Sequence, residues 1–279
     1  MHKLIKKSIA KINLGLFITE KRDDGFHNLE TIFYPINDLF DLITFEKSSE
    51  YSFSSNTELK FDESNLIYRA VKSLEKETGK KLPVSIYLEK KIPFGGGLGG
   101  GSSNAATTLM GMNKLYHLDL EEKVLRRIAL QLGSDVPYFL LSKPALAKGR
   151  GEILMPIDIK IKGIILIINP DIHISTKEAF SQIRPRKRSI QLSRLTENNE
   201  FNCGSVAETL SNDFEKYVFN KYQEISSIKE AMLEKGAKLA SMSGTGSTVY
   251  GVFNSIHQAM LCSSDLPSHY KKFVSYDHG

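Results

Sequence analysis

Apolar residues recur at every second position through Ala10, Ile12, Leu14, Leu16 and Ile18, the period of a half-buried β-strand. Lys11 and Asn13 stand on the alternate face, projecting side by side from an ordered element. Asp24-Gly25 predicts a turn, and strands follow over 32–34 and 42–46, then a polar, serine-rich stretch over 47–57. Ser64-Asn65 opens a helix whose apolar residues Leu66, Ile67, Ala70, Val71 and Leu74 keep the 3.6 period up to Gly79. Val84, Ile86 and Leu88 alternate as a strand, and Ala105, Leu109, Met112 and Tyr116 mark one face of the next helix. Asp119-Leu120-Glu121-Glu122 has the form of a capping box for a helix carried by Val124, Leu125, Ile128 and Leu132 and stopped by Gly133. A short helix over 135–141 takes Pro137 in its first turn.

Beyond Pro156 the run over 161–168 predicts a fully buried strand ended by Asn169-Pro170. Helices are expected at about 205–210 and 224–235, and a strand, tight glycine turn and second strand over 240–250. The patterning places one boundary near Pro156, dividing the chain into 1–156 and 157–279.

Composition narrows the class. The chain has 279 residues, 41% hydrophobic and 25% charged, as expected of a globular protein with room for two modest domains. A net charge of +5 mildly favours small anionic ligands and is too weak to argue for nucleic acid. No apolar run is long enough to span a bilayer, and the first residues do not read as a signal peptide. Cys203 and Cys262 show neither metal-ligand spacing nor a disulfide framework, so the cytoplasm is the expected compartment.

Between the strand ending near Leu88 and the helix containing Ala105 lies Pro93-Phe94-Gly95-Gly96-Gly97-Leu98-Gly99-Gly100-Gly101-Ser102-Ser103-Asn104. Glycine removes the Cβ that keeps a backbone away from a ligand, and successive N–H groups can then turn inward around an anion. The following helix adds free N–H groups and the positive end of its dipole. Gly101 stands where a P-loop needs lysine, so that motif is disfavoured. Gly95, Gly97 and Gly100 meet the dinucleotide fingerprint formally, but Asp119 and Glu121 open a helix where a strand should end. The remaining nucleotide-binding reading is a loop around ATP phosphates, with serine hydroxyls available to Mg²⁺; the competing one is a turn chosen for tight strand–helix packing.

Phosphoryl transfer needs phosphate positioning, a metal ion and an acceptor for the hydroxyl proton. Asp135 is the best placed carboxylate, with a helix N-cap as its alternative role. Lys11 must snorkel, meet an acid or line a site, and pairing with Asp135 would keep that carboxylate ionised; its alternative is a surface lysine on an open sheet. Phe26-His27 offers a ring and an imidazole to a heteroaromatic base, or an exposed turn. Gly244-Thr245-Gly246 is either a second anion site or a plain hairpin, and the basic run over 184–188 is a solvated loop.

Together these segments resemble the GHMP kinase superfamily (galactokinase, homoserine, mevalonate and phosphomevalonate kinases). The glycine loop resembles its phosphate-binding motif, and Ser241-Met242-Ser243-Gly244-Thr245-Gly246 its third motif. Ala10-Lys11-Ile12-Asn13-Leu14, Asp24-Gly25-Phe26-His27, Gly133-Ser134-Asp135-Val136-Pro137 and Gly149-Arg150-Gly151-Glu152 narrow the likeness to one branch. That resemblance implies an α+β, two-domain GHMP kinase fold, with a ribosomal-S5-like N-terminal domain and a ferredoxin-like C-terminal domain enclosing substrate in a cleft. It implies ATP-dependent phosphorylation of the 2-hydroxyl of a methylerythritol unit carrying cytidine diphosphate, a step of non-mevalonate isoprenoid precursor biosynthesis in the bacterial cytoplasm.

The roles it implies are specific. Asp135 takes the hydroxyl proton, Lys11 stabilises the developing alkoxide and Asn13 holds the polyol. Phe26 and Phe180 sandwich the cytosine while His27 reads its polar edge. Thr176, Gly244 and Thr245 contact the substrate, with Lys177 where the family has proline. Asn65 approaches the adenine. Pro93, Gly95, Gly96, Gly97, Leu98, Gly99, Gly100, Gly101, Ser102 and Ser103 enclose the ATP phosphates, with Ser102 or Ser103 near Mg²⁺. A monomer or weak homodimer, without nucleic-acid or membrane partners, is expected.

Overall fold

A computed structural model describes residues 2–190, 195–197, 200–201, 203 and 210–276. Its contacts divide the chain into two compact units: Met1–Ala10, Leu39–Phe94 and Gly99–Ser142 in one, Lys11–Asp38, Gly95–Leu98 and Lys143–Gly279 in the other. The units interleave along the chain and do not follow a single cut at Pro156, because β1 (Lys3–Lys21) and β2 (His27–Lys47) each contribute residues to both.

In the first unit, the strands β3 (Ser52–Ser55) and β4 (Val84–Glu89) join the second half of β2. β2 and β4 run antiparallel from Leu42–Glu89 to Lys47–Val84, and β3 lies parallel to β4. The two strands expected around 32–34 and 42–46 are thus one continuous β2, and the polar stretch after it contains β3. Helices α1 (Leu66–Thr78), α2 (Gly100–Tyr116), α3 (Glu122–Leu132) and α4 (Val136–Leu141) complete this unit. Ile67, Ala70, Val71 and Leu74 form the buried face of α1, and Gly79 ends it in the left-handed region, as the sequence predicts. The capping box at Asp119 does not form: Glu121 is the N-cap of α3 without a side-chain bond, and Asp119 takes φ 51°.

In the second unit, β5 (Ala145–Lys148) pairs antiparallel with β2 over Thr31–Phe33, and β6 (Ile153–Pro156) extends that edge. The run expected as one strand over 161–168 is broken at Gly163 into β7 (Lys160–Ile161) and β8 (Ile164–Asn169). A Cβ at Gly163 would meet Phe253 O at 2.4 Å, so only glycine fits the break. Then come α5 (Thr176–Ser181), β9 (Thr196–Glu197), β10 (Glu200–Phe201), α6 (Glu215–Lys221), α7 (Gln223–Glu234), β11 (Leu239–Met242), β12 (Val249–Phe253), α8 (Ile256–Asp265) and β13 (Lys271–Tyr276). Of the helix expected at 205–210, residues 205–209 lie outside the described residues, and Leu210 is not helical.

Strands β11-β12-β8-β13 form an antiparallel sheet with β8 in the interior. Ile165, Leu166, Ile167 and Ile168 have no exposed surface. A strand covered on both faces reads as a continuous apolar run, and each such side chain stabilises by about 1.5–3 kcal/mol. Leu166 and Ile168 share a core with Ile225, Ile228 and Met232 of α7 and Ala259 and Cys262 of α8.

Candidate active site

The glycine run belongs half to each unit. Its later half opens α2 at Gly99, whose φ of 72° only glycine adopts readily, and no side chain caps the helix. The helix therefore starts earlier than the Ser-Ser-Asn cap the sequence suggests, and Ser102 to Asn104 lie within its first turns. The first N–H groups of a helix have no intrahelical partner. With no side chain supplied, the N–H groups at the start of α2 form an electropositive cradle suited to an anion. Ser103 is buried and its hydroxyl accepts from Ser8 Oγ at 2.8 Å, while Ser102 is half-buried.

Close packing favours glycine at three places in the run, most strictly at Gly97, so part of the packing alternative holds. A Cβ at Gly97 would lie 2.0 Å from Ser243 O, one at Gly96 2.5 Å from Asn169 Nδ2, and one at Gly100 2.9 Å from Ile92 Cγ2. Gly101 is exposed, and a Cβ there would meet only Leu66 at 3.6 Å.

Asn65 is the N-cap of α1: its Oδ1 accepts from Ile67 N at 2.9 Å and its Nδ2 donates to Lys60 O at 2.8 Å. Asp135 holds the N-cap position of α4 without a side-chain capping bond and is half-buried, so its carboxylate does not play the capping role the sequence left open.

In the second unit, both faces of β1 are covered: Lys11 and Asn13 are each 2% exposed, and the reading of Lys11 as a surface lysine is removed. Lys11 Nζ donates to Asn13 Oδ1 at 2.6 Å and to Gly97 O at 2.8 Å, with the Phe33 ring 5.2 Å away. Asn13 Nδ2 donates to Thr31 Oγ1 at 3.0 Å, which fixes the amide so that its oxygen faces the ammonium. Ser243 Oγ accepts from Asn13 N at 3.2 Å and donates to Gly97 O at 2.9 Å, and Tyr250 donates to Asn13 O at 2.9 Å. Burial pushes the Tyr250 phenol up, which keeps it a donor.

Gly244 to Gly246 lie in the connection of the β11–β12 hairpin, closed by Ser243 N to Thr248 O at 2.9 Å. Sequence reasoning missed the side chain that shapes it: Asn212 Nδ2 donates to Met242 O at 2.7 Å and Gly244 O at 2.8 Å. An asparagine before Asp213-Phe214 carries no local signal beyond a turn. Thr245 Oγ1 lies 3.4 Å from Thr176 Oγ1 at the start of α5.

The aromatic residues are also gathered here. The His27 imidazole stacks on Phe180 at 5.1 Å with 29° between planes, and Phe180 meets Phe214 edge-on at 4.9 Å. Burial, then the charge of Lys21, lowers the His27 pKa, so the ring is neutral at neutral pH. Phe26 is 50% exposed, with the Arg150 guanidinium 4.5 Å from its ring. Arg188, in the basic loop, stacks over Phe17 at 4.4 Å and pairs with Asp213. Lys177 is exposed on α5.

Residues 65–143 match the GHMP kinases N terminal domain and residues 191–272 the GHMP kinases C terminal family, on either side of Pro156. With a sheet-and-helix unit carrying a glycine-started helix and a second unit carrying a glycine hairpin, the chain is a GHMP kinase by fold. A 4-diphosphocytidyl-2-C-methyl-D-erythritol kinase of Chlorobium chlorochromatii is 42% identical over 96% of this chain and 95% of the relative. The enzyme of the same name from Bacteroides fragilis is 44% identical over 88% of this chain and 90% of its own. The crystal structure of a 4-(cytidine 5'-diphospho)-2C-methyl-D-erythritol kinase superposes with a TM-score of 0.82 at 29% identity, covering 98% of both chains. Homoserine kinase from Cytophaga hutchinsonii shares the fold alone, with a TM-score of 0.72 at 17% identity over 99% of this chain and 95% of its own. The chain belongs to the 4-diphosphocytidyl-2-C-methyl-D-erythritol kinase family.

Among the described residues, no helix is long and apolar enough to cross a membrane. Nor is there among them a group of three or more histidine, cysteine or acidic residues suited to a metal ion.

Proposed function

We propose that this protein transfers the γ-phosphoryl group of ATP to the 2-hydroxyl of 4-diphosphocytidyl-2-C-methyl-D-erythritol, within the non-mevalonate route to isoprenoid precursors. The observation that carries the reading is Lys11: a buried ammonium held between Asn13 Oδ1 and the carbonyl of Gly97 in the glycine loop. A desolvated cation so fixed suits the negative charge of a developing alkoxide, where it acts without reorganisation.

The hydroxyl oxygen attacks the γ-phosphorus and the bond to the bridging oxygen of ADP breaks. The hydroxyl proton passes to the Asp135 carboxylate, the acceptor this chemistry requires. The uncapped start of α2, from Gly99 to Ser102, holds phosphate oxygens, with Pro93 and Gly95 to Leu98 preceding it in the loop. Mg²⁺ supplies charge neutralisation at the phosphates. Because Ser103 is tied to Ser8, Ser102 is the hydroxyl this reading places beside the ion.

Phe26 offers its exposed ring to the cytosine, and the neutral His27 imidazole, with one donor and one acceptor nitrogen, matches the polar edge of the base. Phe180 braces His27 by stacking, and Asn13, Thr176, Gly244 and Thr245 contact the remainder of the substrate. Asn65, whose Oδ1 caps α1 and whose Nδ2 donates one hydrogen to Lys60 O, reaches adenine through its second amide hydrogen. Two buried, free cysteines fit the cytoplasm as the working compartment.

ADP release from Mg-ATP is measured with the cytidylyl substrate, mevalonate and homoserine in parallel. Turnover with the cytidylyl substrate alone is expected. Turnover with mevalonate or homoserine would overturn the role given to Phe26 and His27.

A further inference from the structure

The β2–β4 ladder begins at the Leu42–Glu89 pair, and Asp41 is the next residue of β2. Past Glu89 the chain leaves the sheet and runs through Ile92 into Pro93 and the glycine loop. Asp41 takes over where strand partners stop: its Oδ1 accepts from Lys91 N at 2.7 Å and Ile92 N at 2.8 Å. Its Oδ2 accepts from Lys90 Nζ and from Asn104 Nδ2, both at 2.8 Å. The Asn56 amide holds Lys90 from the other side, with Lys90 N to Asn56 Oδ1 at 2.8 Å and Asn56 Nδ2 to Lys90 O at 3.1 Å. Lys90 Nζ donates once more, to Ile92 O at 2.6 Å.

One carboxylate thus ties the stem before the glycine run to the helix after it. Asp41 has no exposed surface and Lys90 is 8% exposed. Burying both charges is costly, and an apolar pair would hold two elements together more cheaply. A carboxylate offers what an apolar pair does not: two oxygens that each accept from two donors in fixed directions. The ammonium it holds also lies close under α2, since a Cβ built on Gly100 would be 3.0 Å from Lys90 Nζ. Positive charge thereby sits beside the first helical residue of the uncapped N-terminus.

We propose that Asp41 is a positioning residue for the phosphoryl donor, setting the stem of the phosphate loop through Lys91 and Ile92 and the start of α2 through Lys90 and Asn104. The inference rests on the reading of this loop as the ATP site. Displacement of positioning groups by about 1 Å can cost on the order of a hundredfold in rate, so small movements of the stem are readable in kinetics.

The test compares Asp41→Asn, Lys90→Met and Asn104→Ala in the full chain by kcat, KM for ATP, KM for the cytidylyl substrate and melting temperature. Asp41→Asn is expected to raise KM for ATP about tenfold with KM for the other substrate unchanged, Lys90→Met less, and Asn104→Ala least. Should Asp41→Asn fail to fold, Lys90→Met and Asn104→Ala decide, since both leave the bonds to Lys91 and Ile92 in place. Lower melting temperatures and lower kcat with an unmoved KM for ATP would show a purely structural pair and overturn the proposal. So would equal rises in both KM values. A wild-type protein that does not turn over ATP defeats the proposed function itself, whereas a normal wild type with unmoved variants defeats only the role of Asp41.

Discussion

At the start of α2 the polar groups left open are backbone N–H donors, whereas Lys11 is held by a side-chain amide and a loop carbonyl, each itself bonded further. The neighbouring helix α1 sharpens the contrast, because there a side chain is supplied: Asn65 Oδ1 accepts from Ile67 N in the first turn. A backbone cradle accepts any anion of the right shape and is spoiled by bulk. A side-chain cluster carries one charge at one place and is spoiled by deletion.

The largest effect should therefore come from deletion at the cluster. Lys11→Ala and Asp135→Asn are each expected to lower kcat by about 10³-fold, within the range general for proton transfer and charge stabilisation, while ATP affinity measured by calorimetry stays near normal. Near-normal rates in both would break the comparison at its catalytic end. Next comes bulk in the loop. In Gly97→Ala the new methyl must displace Ser243 O and the backbone must keep φ near 77°, so kcat/KM should fall about a hundredfold. A wild-type rate there would mean that the loop does not hold the nucleotide.

Phe26→Ala should raise KM for the cytidylyl substrate about ten- to hundredfold, from a stacking contribution of about 1–3 kcal/mol, with KM for ATP unmoved. Phe26→Tyr should be close to neutral, and a rise in KM for ATP instead would place the ring in the wrong site. The smallest effect is expected at the capped helix: Asn65→Ala should cost about 1 kcal/mol of stability by chemical denaturation. If KM for ATP rises as well, the adenine contact holds; if it does not, Asn65 is a cap alone.

Much of this was legible in the sequence, for local reasons. The period of α1, its Asn65 cap and its Gly79 stop are set within fifteen residues, and so is the β11–β12 hairpin with its glycines. Lys11, Asn13 and the glycine run stood out because they broke a pattern. What was not legible depends on partners far along the chain. Asp41 and Lys90 looked like ordinary charges beside strands, and only folding places them 2.8 Å apart, 49 positions distant, with Asn104. Asn212 gives no sign in sequence that it clamps a hairpin 30 positions away. The packing need at Gly97 is invisible until Ser243 is laid against it.

The bond from Asn13 N to Ser243 Oγ spans 230 positions, and Tyr250 reaches Asn13 O across 237. During synthesis at roughly 5–20 residues per second, the strand bearing Lys11 emerges many seconds before the hairpin that completes its surroundings. Through that interval the lysine stays hydrated and unfixed, so its capacity to steady an alkoxide arises only when the last portion of the polypeptide docks. Contacts of such long sequence separation also form slowly from a denatured chain. Recovery of catalysis after dilution from denaturant should accordingly lag behind recovery of helical circular dichroism.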